Sequence, residues 1–310
     1  MKIRYTVLSL LILNSLLIAA DPKPNTLTPK EIADGWILLF DGETTFGWEI
    51  LGKGEVKTEN GKLVLGGNAK GQAQMAMLPK GKFLANGAEF DHPKANFIHF
   101  ATRNDSPDTW SDIKYKPADL KPLFNGKDLT GWKLFEGDAK RKASKFEVTK
   151  DGELKVSNGP GDLQTESTYA DFLLQFDCKT NGTALNSGIF FRCLPNQYQQ
   201  GYEAQIQNAI VNNDRSKPLD YGTGAIYRRI AARKVVSNDN EWFTMTVVAV
   251  GPLLRTWVNG YPVVSWKDDR KPADNARNGQ YLKAGHLSIQ GHDPTTDILF
   301  RNIKIVEIKK

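Results

Sequence analysis

The chain has 310 residues, 40% of them hydrophobic and 25% charged, with 27 glycines and 15 prolines. That is enough apolar material for a sizeable core without disulfide or metal staples. The net charge of +6 becomes +4 when two cations, Lys2 and Arg4, are taken off with the first residues. It is spread along the chain, and the Lys140-Arg141-Lys142 and Arg228-Arg229 clusters are short and lack interleaved aromatics, so they read as solvated surface and no nucleic-acid partner is expected.

Lys2 and Arg4 precede an apolar run, Val7 to Leu13 resumed at Leu16 to Ile18, that ends in Ala19-Ala20. Residues 1–20 therefore read as a secretory signal peptide, cleaved before Asp21. The run is short and interrupted for a membrane span, and no later stretch is long and apolar enough to be one. The expected product is exported, periplasmic or extracellular. In that setting a disulfide between Cys178 and Cys193 is permitted, and two buried thiols fit equally well.

Asp21 to Pro29 reads as a flexible lead-in. Leu39-Phe40-Asp41-Gly42, separated by four residues from Gly47-Trp48, returns as Leu123-Phe124-Asn125-Gly126 with Gly131-Trp132 at the same spacing, which marks an internal repeat. Residues 21–116 form a smaller amino-terminal β module, a truncated relative of the main domain at 117–310. Its two histidines, His92 and His99, read as ordinary surface or half-buried residues. Ser106-Pro107-Asp108 and the segment from Lys116-Pro117 to Lys121-Pro122 mark the linker between the two.

Strand signals in the main domain fall at 145–148, 153–156, 172–178, 188–193, 202–207, 243–250, 255–258, 261–266, 286–290 and 298–308. Asn259-Gly260 is a two-residue hairpin turn between two of these. The only helical expectation is a short piece near Ala273 to Asn278. So many short strands imply an all-β fold, a two-sheet jelly-roll β-sandwich.

Three of the strands are polar on one face. With side chains alternating, Asn186, Phe190 and Arg192 oppose Ile189, Phe191 and Cys193. Glu203, Gln205 and Gln207 oppose Tyr202, Ala204 and Ile206, and His286, Ser288, Gln290 and His292 oppose Leu287 and Ile289. A carboxylate, a guanidinium, amides and imidazoles on one sheet face suit a polyhydroxylated ligand. Tyr198, Tyr202, Tyr227, Trp257 and Trp266 are candidates to stack on sugar rings.

Residues 120–308 also resemble a known family. Leu123-Phe124-Asn125-Gly126-Lys127-Asp128-Leu129, Gly131-Trp132, Tyr169-Ala170-Asp171-Phe172, Asn186 to Arg192, Tyr202-Glu203-Ala204-Gln205-Ile206, Thr223-Gly224-Ala225-Ile226-Tyr227, Glu241-Trp242, Asn259-Gly260, Gln290-Gly291-His292 and Phe300-Arg301-Asn302-Ile303 follow the order of the 3-keto-disaccharide hydrolase domain family. The resemblance implies a jelly roll similar to concanavalin A-type lectins and glucanases. It also implies hydrolysis or elimination at oligosaccharides or glycosides whose sugar carries a ketone at C3. Where that family often carries an Asp after Gln205-Ile206, this chain reads Gln207-Asn208, which weighs against a second carboxylate at that point.

A C3 ketone acidifies the C2 hydrogen, so a base can form an enolate that expels the glycosidic oxygen from C1, and water then adds back. The residue roles expected are Glu203 or His292 for proton transfer, Arg192 for the enolate charge, and Asn186, Gln205 and Gln290 to orient hydroxyls, with Tyr227 also at the substrate. A divalent metal ion held by Glu203 and His292 is the alternative to Arg192. Competing functions are a non-catalytic carbohydrate-binding module, a two-carboxylate glycosidase pairing Glu203 with Glu166 or Asp177, and a scaffold in which the amino-terminal module docks a partner and the sandwich is structural, a reading that a cleft blocked by residues 49–116 would favour.

Overall fold

The computed structural model describes residues 23–66, 71–102 and 107–309, so the expected leader at 1–20 lies outside the described residues. Two antiparallel sheets stack face to face. The front sheet has five strands, in the order Trp132–Leu134, Gly161–Tyr169, Gly285–Gly291, Ser187–Cys193 and Tyr202–Ile206. The back sheet has eight, running from Lys145–Val148 and Leu154–Ser157 through Asp297–Glu307, Phe172–Thr180, Phe243–Val250 and Leu253–Val258 to Tyr261–Lys267, with Lys121–Pro122 added along Asp297–Glu307. This is the jelly-roll β-sandwich that the strand pattern requires.

The period of two explains the packing. Phe172, Leu174, Phe176 and Cys178 of the back sheet meet Leu163, Ile189, Phe191, Tyr202, Ala204, Leu287 and Ile289 of the front sheet in one core. Cys178 and Cys193 are buried free thiols. Asn259 and Gly260, at φ 49° and 71°, close the hairpin expected between Leu253–Val258 and Tyr261–Lys267.

The back sheet is apolar on both faces, and Leu173, Val248, Val250 and Trp257 point away from the sandwich core into a second cluster with Ile37, Leu39, Phe40, Trp48 and Leu63. The amino-terminal part therefore covers the outer face of the back sheet. It is built from small sheets of four, three and three strands. Trp257 Nε1 donates to Leu38 O (2.7 Å), Gln175 Nε2 donates to Gly35 O (2.9 Å), and Arg233 Nη2 meets Asp41 Oδ2 (2.5 Å) across the junction. Burial alone would raise the Asp41 carboxyl, but Arg233 and the amides of Thr44 and Glu43 outweigh it and hold the pKa below its usual value.

The repeat is a repeat of structure. Asp41 Oδ1 accepts from the amides of Glu43 and Thr44, and Asn125 Oδ1 accepts from those of Lys127 and Asp128. Each turn ends in a tryptophan nine residues beyond the carbonyl that its indole meets, Trp48 to Leu39 O at 2.7 Å and Trp132 to Leu123 O at 2.9 Å.

Three local expectations are corrected. Residues 23–28 are held, because the amide of Asn25 donates to Asp112 Oδ1 (2.5 Å) and that of Asp112 donates back to Asn25 Oδ1 (2.8 Å). Residues 273–278 form turns, since Asn275 Oδ1 accepts from the amides of Arg277 (2.9 Å) and Asn278 (3.1 Å) and competes with helix. The linker is short, because Asp108–Trp110 and Lys114–Pro117 are strands and only residues 118–120 lead to Lys121–Pro122.

A chain reduced to residues 119–309 would expose Leu173, Val248, Val250 and Trp257 as one apolar patch. It is expected to bind a hydrophobic dye and scatter light at concentrations where the full chain does neither. A monodisperse, dye-silent fragment would contradict the shared second core.

Candidate active site

The polar face of the front sheet is built in rows. Gln164 pairs with Ser288, Ser288 with Phe190, and Phe190 with Glu203; in the next row Asp162 pairs with Gln290, and Gly188 with Gln205. Gly188 leaves a gap in the second row, and Glu203 leans into it from the strand beside. A Cβ at position 188 would stand 2.8 Å from Glu203 Oε1 and 2.9 Å from its Cγ.

Above this gap is a polar hollow of about 180 Å³. Asn186, Glu203, Gln205, Tyr227, Gln290 and His292 line it, together with Gln199, Arg228 and Arg277. Six of the seven expected site residues are thus brought together from four separated segments. None of the lining comes from residues 49–116, so the amino-terminal part does not block the hollow.

Arg192 is the exception and is corrected here. The strand Ser187–Cys193 carries a bulge between Phe190 and Cys193, and Arg192 takes φ 54° there. The extra residue breaks the alternation that put Arg192 beside Phe190. Its fully buried guanidinium turns to the end of the sandwich, donating to Ala170 O (2.8 Å), Gly251 O (2.9 Å) and Tyr281 O (3.1 Å) and pairing with Asp171 (3.2 Å). It is a structural clamp, and the three-way grouping of Arg192, Glu203 and His292 does not exist.

The positive charge at the hollow comes from Arg277 and Arg228. Arg277 Nη2 lies 3.9 Å from Glu203 Oε2, its Nε donates to Gln199 O (2.9 Å), and its guanidinium sits 5.2 Å from the centre of the Phe190 ring. Arg228 and Tyr227 arrive on a segment zipped along the edge strand, where the Tyr227 amide donates to Glu203 O (3.0 Å) and Gly224 N to Gln205 O (2.8 Å). Arg228 is exposed, as expected of surface, and also lines the rim of the hollow.

Glu203 is 5% exposed and its carboxyl accepts no hydrogen bond from the described residues. Burial pushes its pKa up to about 8, with Asp220 and Asp162 adding to the rise and Arg277 and Arg228 opposing it. Asp162, on the same face, is pushed up to about 6 by burial against the hydrogen bond from Gln199 Nε2 (3.1 Å).

Asp220 holds two of the amides, taking Asn186 Nδ2 at 2.8 Å and Gln205 Nε2 at 3.1 Å. The other ends of the amides are unused: Gln205 Oε1 and Gln290 Oε1 are buried without a partner. Two oriented acceptors with nothing to accept are suited to ligand hydroxyls. His292 Nδ1 is 2.7 Å from Asp293 Oδ2, which leaves Nε2 as the nitrogen for other work.

Other candidates fall elsewhere. Among the aromatic candidates only Tyr227 reaches the hollow; Tyr202 is core, with its hydroxyl on Asp268 (2.6 Å), and Trp257 is on the far face of the back sheet. Asp177 is on the back sheet with Thr244 and Asn302, and Glu166 is exposed on another part of its strand. Gln207 and Asn208 bind their own loops, the former through Ala184 O and the latter through Thr223, Ser237 and Asp239. His286 is buried against Thr165 O (2.7 Å).

Sequence reasoning missed Asp162, Gln199 and Arg277. Asp162 was findable, because Gly161-Asp162-Leu163-Gln164 alternates, but a polar outer face and a single inward leucine hid the strand Gly161–Tyr169. Gln199 and Arg277 come from irregular loops that carry no periodic signal.

Among the described residues no three His, Cys, Asp or Glu side chains come together as a metal site. Glu203 and His292 share the hollow, so two of the donors expected for a metal ion are present, and the geometry supplies no third.

Fold and site define a β-sandwich whose front sheet presents a small polar hollow around one buried carboxyl. Residues 119–306 match the 3-keto-alpha-glucoside-1,2-lyase-like domain, and the chain belongs to that family. Among solved structures it is similar to a candidate glycosyl hydrolase of Parabacteroides distasonis, at 24% identity over 61% of this chain and 94% of that one, with a TM-score of 0.49. A second candidate glycosyl hydrolase of that organism gives 25% identity over 62% and 85% of the two chains, TM-score 0.46. A carbohydrate-binding module from Bacillus subtilis gives 15% over 56% and 93%, TM-score 0.40. The search of curated proteins returned no match.

Two outcomes are expected from this geometry. Gly188→Ala should displace the Glu203 carboxyl and reduce affinity for any ligand of the hollow, while circular dichroism stays unchanged; crystallography showing Glu203 unmoved would contradict it. Because the Glu203 pKa is raised on folding, its contribution to stability is full below the unfolded value and is lost as pH rises through about 8. Glu203→Gln should therefore melt near the parent at pH 4 and above it at pH 8, a gap on the order of a few kcal/mol.

Proposed function

We propose that this protein cleaves the glycosidic bond of 3-keto-glycosides by removing the C2 proton, eliminating the C1 substituent and hydrating the product. One observation carries the reading: a carboxyl with raised pKa, free of hydrogen bonds from the described residues, lies at the floor of a ring-sized hollow. Its membership of a family described by 1,2-lyase chemistry at 3-keto-glucosides supports the substrate. The hollow, at about 180 Å³, is smaller than the roughly 300–1,000 Å³ of pockets that enclose a drug-sized ligand, so it suits one sugar ring with the leaving group outside.

In this reading Glu203 is the base. A carboxylate that binds its proton as tightly as pKa about 8 is a far better acceptor for a carbon-bound hydrogen than one in water. The electron pair from C2–H moves to the C3 oxygen, where Arg277 lies beside the carboxylate to meet the developing charge. Collapse of the enolate breaks the C1–O bond, and His292, oriented by Asp293, gives the departing oxygen its proton. Asn186, Gln205, Gln290 and Tyr227 orient the ring, the two free amide oxygens taking hydroxyl protons. A water molecule then adds across C1 and C2 to give net hydrolysis.

A second reading has a specific support. Asp162 and Glu203 are two carboxyls on one sheet face, with pKa raised to about 6 and about 8, so that near neutrality Asp162 would be the ionised partner and Glu203 the acid of an ordinary glycosidase pair. Asp162 takes the place of the Glu166 and Asp177 candidates as the carboxyl on the same sheet face as Glu203, although it is 2% exposed and does not line the hollow. We also propose that residues 1–20 act as a leader, which would place either activity outside the cytoplasm.

The deciding assay offers purified protein a plain disaccharide and its 3-keto derivative, with and without chelator. Release from the oxidised sugar alone supports the elimination, and equal release from both supports the two-carboxylate route. Loss with chelator would put a metal ion in the place given to Arg277. Glu203→Gln should lower turnover by about 10²–10⁴-fold while still binding the sugar. For the parent, kcat/KM should climb about tenfold per pH unit from pH 6 towards 8 and then level, as the carboxylate form fills. Binding without release by the parent protein would leave only a carbohydrate-binding module.

A further inference from the structure

A larger cavity, of about 620 Å³, lies where the amino-terminal sheets meet the outer face of the back sheet. Its floor is the edge hairpin, through Leu253, Arg255, Ser265 and Lys267, and Phe46, Trp48 and Phe97 stand on its other walls. The volume is in the range of pockets that bury a small ligand, and the reaction proposed for the Glu203 hollow makes no use of it.

Arg255 is the unusual element. It shares its face of the strand with Trp257 and is drawn down to 7% exposure. Nη1 donates to Gly47 O (2.9 Å) and Met75 Sδ (2.8 Å), but Nε is buried with no partner. Three other buried or half-buried guanidinia have carboxylates, Arg192 with Asp171 at 3.2 Å, Arg233 with Asp41 at 2.5 Å and Arg270 with Asp268 at 2.8 Å, whereas the half-buried Arg229 donates to the carbonyls of Arg228 and Arg277. No described carboxylate forms an ion pair with Arg255. Burial brings its pKa down to about 10, with Glu49 acting against this only through space. The side chain remains a cation at neutral pH, and a buried cation without a counter-ion is costly.

We infer that this cavity binds a small ring-bearing monocarboxylate, the carboxylate paired with Arg255 and the ring lodged among Phe46, Trp48 and Phe97. Guanidinium and carboxylate are matched planar forks, and the ligand would supply the charge that the chain omits. Glu49 and Lys267, both on the walls, offset each other, so the site is left with one net positive charge. A doubly charged phosphate would meet Glu49 without a second buried cation to favour it. Sugar acids and aromatic acids share the required chemistry.

Calorimetric titration of the full chain with glucuronate, benzoate, glucose and inorganic phosphate tests this. At least one of the two acids should bind with one-to-one stoichiometry, and glucose and phosphate should not bind at this site. Ser265 pairs directly with Arg255 across the hairpin, so Ser265→Asp brings an internal carboxylate to the guanidinium. That variant should fold, leave events at the Glu203 hollow unchanged and weaken binding of the acid about tenfold or more. Arg255→Met should weaken it likewise. The acid that binds more tightly identifies the source as sugar or aromatic. Absence of binding by both acids, or affinity unchanged in Ser265→Asp, overturns the inference, and neither result bears on the chemistry at Glu203.

Discussion

Burying a carboxyl group without giving it a hydrogen bond costs free energy, and much of the front sheet is organised around that cost at Glu203. The strand pairing places Glu203 opposite Phe190, and the missing side chain at Gly188 gives it somewhere to lie. Arg277 is kept at 3.9 Å, close enough to influence the carboxyl and too far for a strong ion pair. A closer guanidinium would satisfy the group and return its pKa to the ordinary range. The distance thus leaves the carboxyl able to hold or release a proton near neutrality.

The surrounding amides show the same division of labour. Asp220 draws the nitrogen ends of Asn186 and Gln205 to itself, and the oxygen ends of Gln205 and Gln290 are left facing nothing. One carboxylate serves orientation, so another can stay free for chemistry. Such partial satisfaction is unfavourable in a core, where it would be repaired by an apolar residue. On an open sheet face, hydroxyls of a sugar can complete it.

The front sheet can carry a polar outer face because the back sheet supplies apolar contact on both of its own. Its inner face meets the front sheet, and its outer face is closed by the amino-terminal sheets through Trp257, Val248 and Leu173. The repeated Asp/Asn turn with its tryptophan–carbonyl bond gives both parts the same way of starting a sheet. That arrangement also creates the junction cavity, where Arg255 is hydrogen-bonded to a carbonyl and a sulfur and ion-paired with no described carboxylate, Glu49 acting on it only through space.

The sequence by itself determined the sandwich, the Asn259-Gly260 hairpin, the repeated turn and six residues of the hollow, because a period of two is a local property that each strand writes into its own side chains. It misplaced Arg192, since a bulge adds one residue to one strand of a pair, and nothing in Phe190-Phe191-Arg192-Cys193 records the strand opposite. It passed over Asp162, whose strand has too few apolar residues to stand out, and Gln199 and Arg277, which reach the hollow from loops. Only the tertiary structure decided which charge stands near Glu203 and how far away, because strand register and loop path are set by neighbours distant in the chain. Those distances, rather than residue types, fix the desolvation and Coulomb effects that make one carboxyl unlike the others.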